Sequence, residues 1–290
     1  MKRLLVFLFI IPIIGFAQQT DVGTSTGGSG MLSKKGFPIL PQAGDFGIGF
    51  DAVPFLEYAG NIFNGSNSNS VEANFQNSTQ QLVGKYFLDE STAIRARVRF
   101  RLASDVDRNR VILDNQAAPD PNVQVVDERK FNTNFIQIGA GLEKRRGQGR
   151  LYGIYGGEVS FFSEKDKTTY DYGNPMSLNN QTPTTTTNFG NGNSGAVTNR
   201  EVEELSGRTL SFGLNGFAGV EYFFAPKMGI SAEFTYGFEL SRTLRGRVTE
   251  EFWDVNTESV REDESVTEGG SNFTLDTGNF GGAINLFFYF

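Results

Sequence analysis

The sequence predicts an all-β protein, a closed antiparallel eight-stranded up-and-down transmembrane β-barrel. Three observations carry the prediction. Apolar residues alternate with small or polar ones at period two in eight segments of roughly ten residues, as in strands that cross a bilayer. The connections between them alternate between short turns and long polar stretches. The chain also opens with the pattern of an export signal.

Lys2 and Arg3 form a basic start and Leu4 to Ile14 an apolar run broken at Pro12. Gly15-Phe16-Ala17 then supplies small residues for cleavage before Gln18. Residues 1–17 therefore read as a signal peptide, too short to span a bilayer as a helix. Residues 18–45, with Gly27-Gly28-Ser29-Gly30, Pro38 and Pro41, read as an irregular periplasmic N-terminal segment, and residues 46–290 as the barrel. No Cys exists to carry a lipid anchor.

The eight segments are Phe46–Leu56, Gln80–Leu88, Thr92–Leu102, Phe131–Glu143, Leu151–Phe162, Thr209–Phe223, Met228–Ser241 and Asn272–Phe290. Short turns fall around Glu90, Gly147 and Pro226, the middle one a basic stretch from Lys144 to Arg150. The long connections are Ala59–Thr79, Ala103–Lys130, Ser163–Arg208 and Arg242–Ser271, and tracts such as Thr184-Thr185-Thr186-Thr187 read as irregular. Membrane barrels keep short turns on the periplasmic side and long loops outside. An even strand number then leaves both termini in the periplasm.

Alternation alone does not say which face meets lipid, and a lipocalin-like soluble barrel would turn its apolar face inward. One face carries Phe46, Ile48, Phe50, Ile230, Phe234, Tyr236, Phe238 and Leu240. The other carries Gly47, Gly49, Gly139, Gly141, Gly156, Gly213, Gly219, Gly237 and Gly281. Glycine in a strand marks close approach, which a narrow interior needs and a watery exterior does not. The membrane arrangement follows, with the glycine face inside.

The third segment sharpens this. Arg95, Arg97, Arg99 and Arg101 alternate with Ile94, Ala96, Val98, Phe100 and Leu102. An Arg facing lipid at mid-bilayer costs ~2–4 kcal/mol, so the four are expected in the lumen, where buried guanidinium groups need carboxylates. Glu143, Glu158, Glu221, Glu233 and Glu239, with Asp51, lie on matching faces. Depth along the strands predicts Arg95 near Glu143 and Glu221, Arg97 and Arg99 near Glu158 and Glu233, and Arg101 towards Glu239. The alternative is a solvated Arg-rich edge.

The last segment ends with Ile284, Leu286, Phe288 and Phe290 in one apolar stripe. That stripe resembles the C-terminal assembly signal of outer-membrane proteins, which the barrel-insertion machinery reads. With it, residues 36–290 resemble the small eight-stranded outer-membrane barrels of the OmpA/OmpX type. The run from Gly44 to Leu56 is similar to the opening strand of barrel proteins from gliding and gut-dwelling Gram-negative bacteria. The resemblance implies the bacterial outer membrane, contact with membrane lipid and lipopolysaccharide, and envelope protein partners. The peptidoglycan-binding domain of OmpA is not expected here.

Composition bounds the chemistry. A formal charge of −7 argues against nucleic acid as a partner. With no His and no Cys, the usual general base, thiol nucleophile and commonest metal ligands are missing, so no enzyme, cofactor or metal site is expected. Glu250, Glu251, Asp254, Glu258, Glu262, Asp263, Glu264 and Glu268 crowd the last long connection without EF-hand spacing. They read as a solvated acidic loop, with weak Ca²⁺ bridging to lipopolysaccharide as the alternative. An eight-stranded barrel has room only for side chains, so the expected role is a structural and interaction scaffold. A narrow ion channel or porin is the competing class.

Overall fold

In a computed structural model, the structure describes residues 31–52, 82–114 and 120–290, with the backbone alone for 276–281. The expected signal peptide, the start of the N-terminal segment, the first long connection and the end of the first segment lie outside the described residues.

The described chain is all-β: β1 (Phe46–Asp51), β2 (Leu82–Asp89), β3 (Thr92–Ile112), β4 (Gln124–Gln148), β5 (Leu151–Asp171), β6 (Thr184–Asn188), β7 (Asn193–Ala196), β8 (Asn199–Leu205), β9 (Thr209–Ala225), β10 (Met228–Thr243), β11 (Gly246–Asp254), β12 (Ser259–Thr267) and β13 (Gly270–Tyr289). Eight of these form an antiparallel ring, β1-β2-β3-β4-β5-β9-β10-β13, in which β13 pairs with β1 and β5 pairs with β9. The ring strands coincide with the eight alternating segments.

Several strands run past their expected ends. β4 has 25 residues and β3 and β5 have 21 each, against the ~9–11 that cross a bilayer. Their outer halves are polar on both faces and are held by cross-strand charge pairs. Asp107 faces Arg129 at 2.6 Å and Arg108 faces Glu128 at 2.8 Å, each pair in register across β3 and β4. The other three long connections are also strand-forming within the described residues, contrary to expectation. Beyond the ring β5 pairs with β8, β8 with β11 and β11 with β12. The threonine tract is β6, paired with β7. The acidic connection is the β11–β12 hairpin, with Trp253 in strand β11. Arg247 bridges Glu203 and Glu264 there, and Arg245 pairs with Glu268. The Lys167 ammonium, first, and the Arg247 guanidinium lower the Glu203 carboxyl from its ordinary range by hydrogen bonding.

The expected irregular N-terminal segment is irregular but docked. Ile39 is buried among Val83, Phe87, Phe223, Phe287 and Tyr289 at the end of the ring that holds the short turns. Its carbonyl accepts a hydrogen bond from the Lys227 backbone N–H, and Gly44 N–H donates to the Phe87 carbonyl. The Lys227 ammonium pairs with Asp45. Lys227 sits at a positive φ of 56° in the tight turn after Pro226, and that conformation lets its N–H and carbonyl meet Ile39 and Tyr289.

Among the described residues, the glycine face points inward. Gly47 and Gly49 lie beneath the rings of Tyr289 and Phe287, which occupy the space a Cβ would need. Gly49→Val is expected to cost about 1–3 kcal/mol by overpacking, measured as a lower urea midpoint of unfolding. The same substitution should cost less in a Phe287→Ala background, where the ring no longer fills that space, than in the native protein.

Candidate functional site

Alternation delivers two opposite surfaces from the same strands. On β3, Ile94, Val98, Phe100 and Leu102 point outward and are exposed, Leu102 by 77%. Arg95 between them is 0% exposed. The outward row continues through Ile136, Ile138 and Leu142 on β4, Val159 and Phe161 on β5, Phe212, Leu214 and Val220 on β9, and Phe234 and Leu240 on β10. Ile284, Leu286 and Phe288 stand on the same outward face of β13, and Phe290 is exposed beyond them. A polypeptide in water hides such side chains and shows its charges; this ring does the reverse.

Inside, the charged groups form one network. Arg95 donates from both terminal nitrogens to Glu233, at 2.8 and 2.9 Å, and reaches Glu143 at 3.4 Å. Arg97 pairs with Glu233 at 2.7 Å and with Glu158 at 3.0 Å. Lys85 bridges Glu143 at 3.0 Å and Glu221 at 3.4 Å. Arg145 binds Glu221 at 2.9 Å, and the Tyr289 hydroxyl donates to the same carboxylate. Four cations (Lys85, Arg95, Arg97 and Arg145) thus meet four carboxylates (Glu143, Glu158, Glu221 and Glu233), so the cluster carries no net charge. Neutrality is what burial demands, because an unmatched buried charge costs several kcal/mol.

Aromatic rings floor the network. Lys85 lies 4.1 Å from the Phe287 centroid and Arg95 4.1 Å from that of Phe217. Arg145 sits over Phe87, Tyr152 and Phe223 at 4.9–5.2 Å. Cations over ring faces gain electrostatic attraction that strengthens when water is excluded. The Ile39 cluster closes beneath these rings.

Most expected members of the network are present, but three pairings differ. Arg95 meets Glu233 in place of Glu221, because Lys85, Arg145 and Tyr289 already occupy Glu221. Arg99 stacks on Phe135 at 4.9 Å and does not reach Glu158 or Glu233. Arg101, expected towards Glu239, pairs with Glu164 at 3.4 Å. Counting depth along each strand ignores the stagger between tilted neighbours, which brings β5 residues level with the upper part of β3.

Lys85 and Arg145 were missing from the expected set, and both had a sequence signal. Lys85 shares the inward parity of Val83 and Phe87. Arg145 stands two residues beyond Glu143 on the same face, in a stretch read as a turn because of its charge. Among the described residues no group of acidic side chains is placed to hold a metal ion. Compared with protein families, curated proteins and solved structures, the chain matches none.

Proposed function

We propose that this chain is an outer-membrane β-barrel of eight strands, closed and spanning the bilayer, whose short turns face the periplasm. Its role is that of a scaffold that presents the extended β3–β5 strands and the β8-β11-β12 sheet outside the cell. The observation that carries this reading is the inverted polarity of the ring, a continuous apolar exterior around a neutral ionic interior. Contiguous exposed apolar surface on this scale is foreign to soluble monomers. A strand rises ~3.3 Å per residue and tilts ~40°, so the row from Ile94 to Leu102 stands roughly 20 Å tall, close to the ~25 Å lipid-facing band of such barrels. The stripe ending at Phe290 fits recognition by the barrel-insertion machinery.

The plug argues for a scaffold over the competing channel. Lys85, Arg95, Glu143 and Glu221 are buried with the aromatic floor and Ile39 below them, which leaves ions no wide water path. In planar bilayers the purified protein is expected to give no steady conductance. Sustained open-channel currents that Arg97→Ala abolishes would overturn the scaffold in favour of a pore.

A further inference from the structure

The apolar exterior of the ring ends abruptly on the side away from the short turns. Outward positions run Phe100, Leu102 and then Ser104 on β3, and Ile138, Ile136 and then Asn134 on β4. The outward row of β5 passes from Phe161 to Ser163 and Lys165, that of β9 from Leu210 to Arg208, and that of β10 from Leu240 to Arg242. Three neighbouring strands thus each carry a cation where they leave the apolar band. Among the described residues no acid stands at these outward positions.

A cleft of about 340 Å³ opens on this boundary, at the small end of ligand-site volumes. Phe100, Leu102 and Ile136 line it on one side and Lys165 and Arg208 on the other. Register builds it. Phe100 faces Ile136 across β3 and β4, and Ile136 faces Ser163 across β4 and β5. Glu164 and Thr209 form the outermost pair of β5 and β9, so Lys165 and Arg208 stand side by side one step beyond. Glu164 itself is taken by Arg101.

These side chains are unmatched within the chain. Phe100 and Leu102 are the most exposed apolar residues of β3. Lys165, Arg208 and Arg242 make no ion pair or side-chain hydrogen bond among the described residues. Like charges side by side on adjacent strands repel. Further out the chain supplies carboxylates, Glu203 to Lys167 and Glu264 to Arg247. A chain of net charge −7 has left three adjacent cations without one.

We propose that this boundary holds one phosphorylated glycolipid of the outer leaflet, of the lipid A class, an acylated disaccharide with a phosphate at each end. One acyl chain lies over Phe100, Leu102 and Ile136. One phosphate sits between Lys165 and Arg208 in charge-assisted hydrogen bonds, and the second meets Arg242. Adjacent strands lie about 4.8 Å apart, so β5 to β10 spans roughly 10 Å. A single phosphate does not cover that span, whereas a disaccharide does. A phospholipid would leave Arg242 unmatched, and a soluble anion would leave the apolar side unmatched. The inference rests on the membrane reading of the ring, with the long loops outside.

The test is native mass spectrometry of the full chain in a non-ionic detergent, titrated with lipid A, its dephosphorylated form, phosphatidylglycerol and inorganic phosphate. Lipid A is expected to bind saturably at one per chain, and the dephosphorylated form at least tenfold more weakly. Lys165→Gln combined with Arg208→Gln should weaken lipid A binding by about tenfold or more. Both side chains lack a partner to strand, so the fold should tolerate the change. The dephosphorylated probe reads the same contacts on the native protein should it not. Lys34→Gln with Lys35→Gln removes equal charge from the docked N-terminal segment and should change nothing. Phosphatidylglycerol or inorganic phosphate held as tightly as lipid A, indifference to the lipid's phosphates, or equal losses in the two double variants would overturn the proposal. The last result would mean cations that only reach into the headgroup layer. A chain that stays in solution once detergent is removed fails the membrane reading; one that needs detergent yet does not prefer lipid A loses this site alone.

Discussion

Arg95→Met is expected to destabilise the protein by about 3–5 kcal/mol, the usual consequence of breaking a buried ion pair from one side. Arg95 makes two short hydrogen bonds to Glu233 and a longer one to Glu143, with no solvent exposure. Methionine fills much of the volume but leaves the interior with three cations against four carboxylates. Urea unfolding in detergent, followed by the mobility of unheated samples on gels, measures the loss. Arg95→Met combined with Glu233→Gln restores neutrality and should recover most of it, since replacing both partners of a buried pair is far milder than removing one. A single variant within about 1 kcal/mol of the native protein, or a double variant no better than the single, contradicts the neutral-core account.

The second large effect is expected on the opposite face of the same strand. Val98 is outward and exposed, where a soluble protein would accept Arg within about 0.5 kcal/mol. In a bilayer, Val98→Arg should cost ~2–4 kcal/mol, with Val98→Leu close to neutral. Unfolding from phospholipid vesicles, not detergent, is the measurement, because vesicles hold the hydrocarbon thickness fixed. An Arg tolerated at 98 would mean that this face meets water.

Strands were legible wherever burial on one side and apolar exposure on the other gave strict alternation. That condition covers the ring, and the eight segments found there match its eight strands. It fails beyond the ring, where both faces are polar. β12 reads Ser-Val-Arg-Glu-Asp-Glu-Ser-Val-Thr and is exposed along its whole length, so no hydrophobic period marks it. Its partner β11 supplies the missing information, for example through Arg261 and Asp254 at 3.2 Å. The threonines of β6 likewise owe their placement to Asp127, a residue more than fifty positions away.

The interior shows the same division. Facing could be read from parity, which placed Arg95, Arg97, Glu143, Glu158, Glu221 and Glu233 on one side. Pairing could not, because it depends on the stagger between strands and on which carboxylate is already occupied. Charge itself misled at Arg145: a basic run resembles a turn until a buried acid two residues earlier is given weight.

The protein has no cysteine of its own, so single nitroxide labels can be placed at each position from Ile94 to Leu102 in turn. Their collisions with oxygen, which concentrates in hydrocarbon, and with a water-soluble nickel chelate report what each position faces. Oxygen accessibility is expected to peak at 94, 96, 98, 100 and 102, with the chelate excluded there and both reagents low at 95 and 97. Even-numbered labels open to the chelate, or a profile without the two-residue period, would contradict the lipid-facing ring.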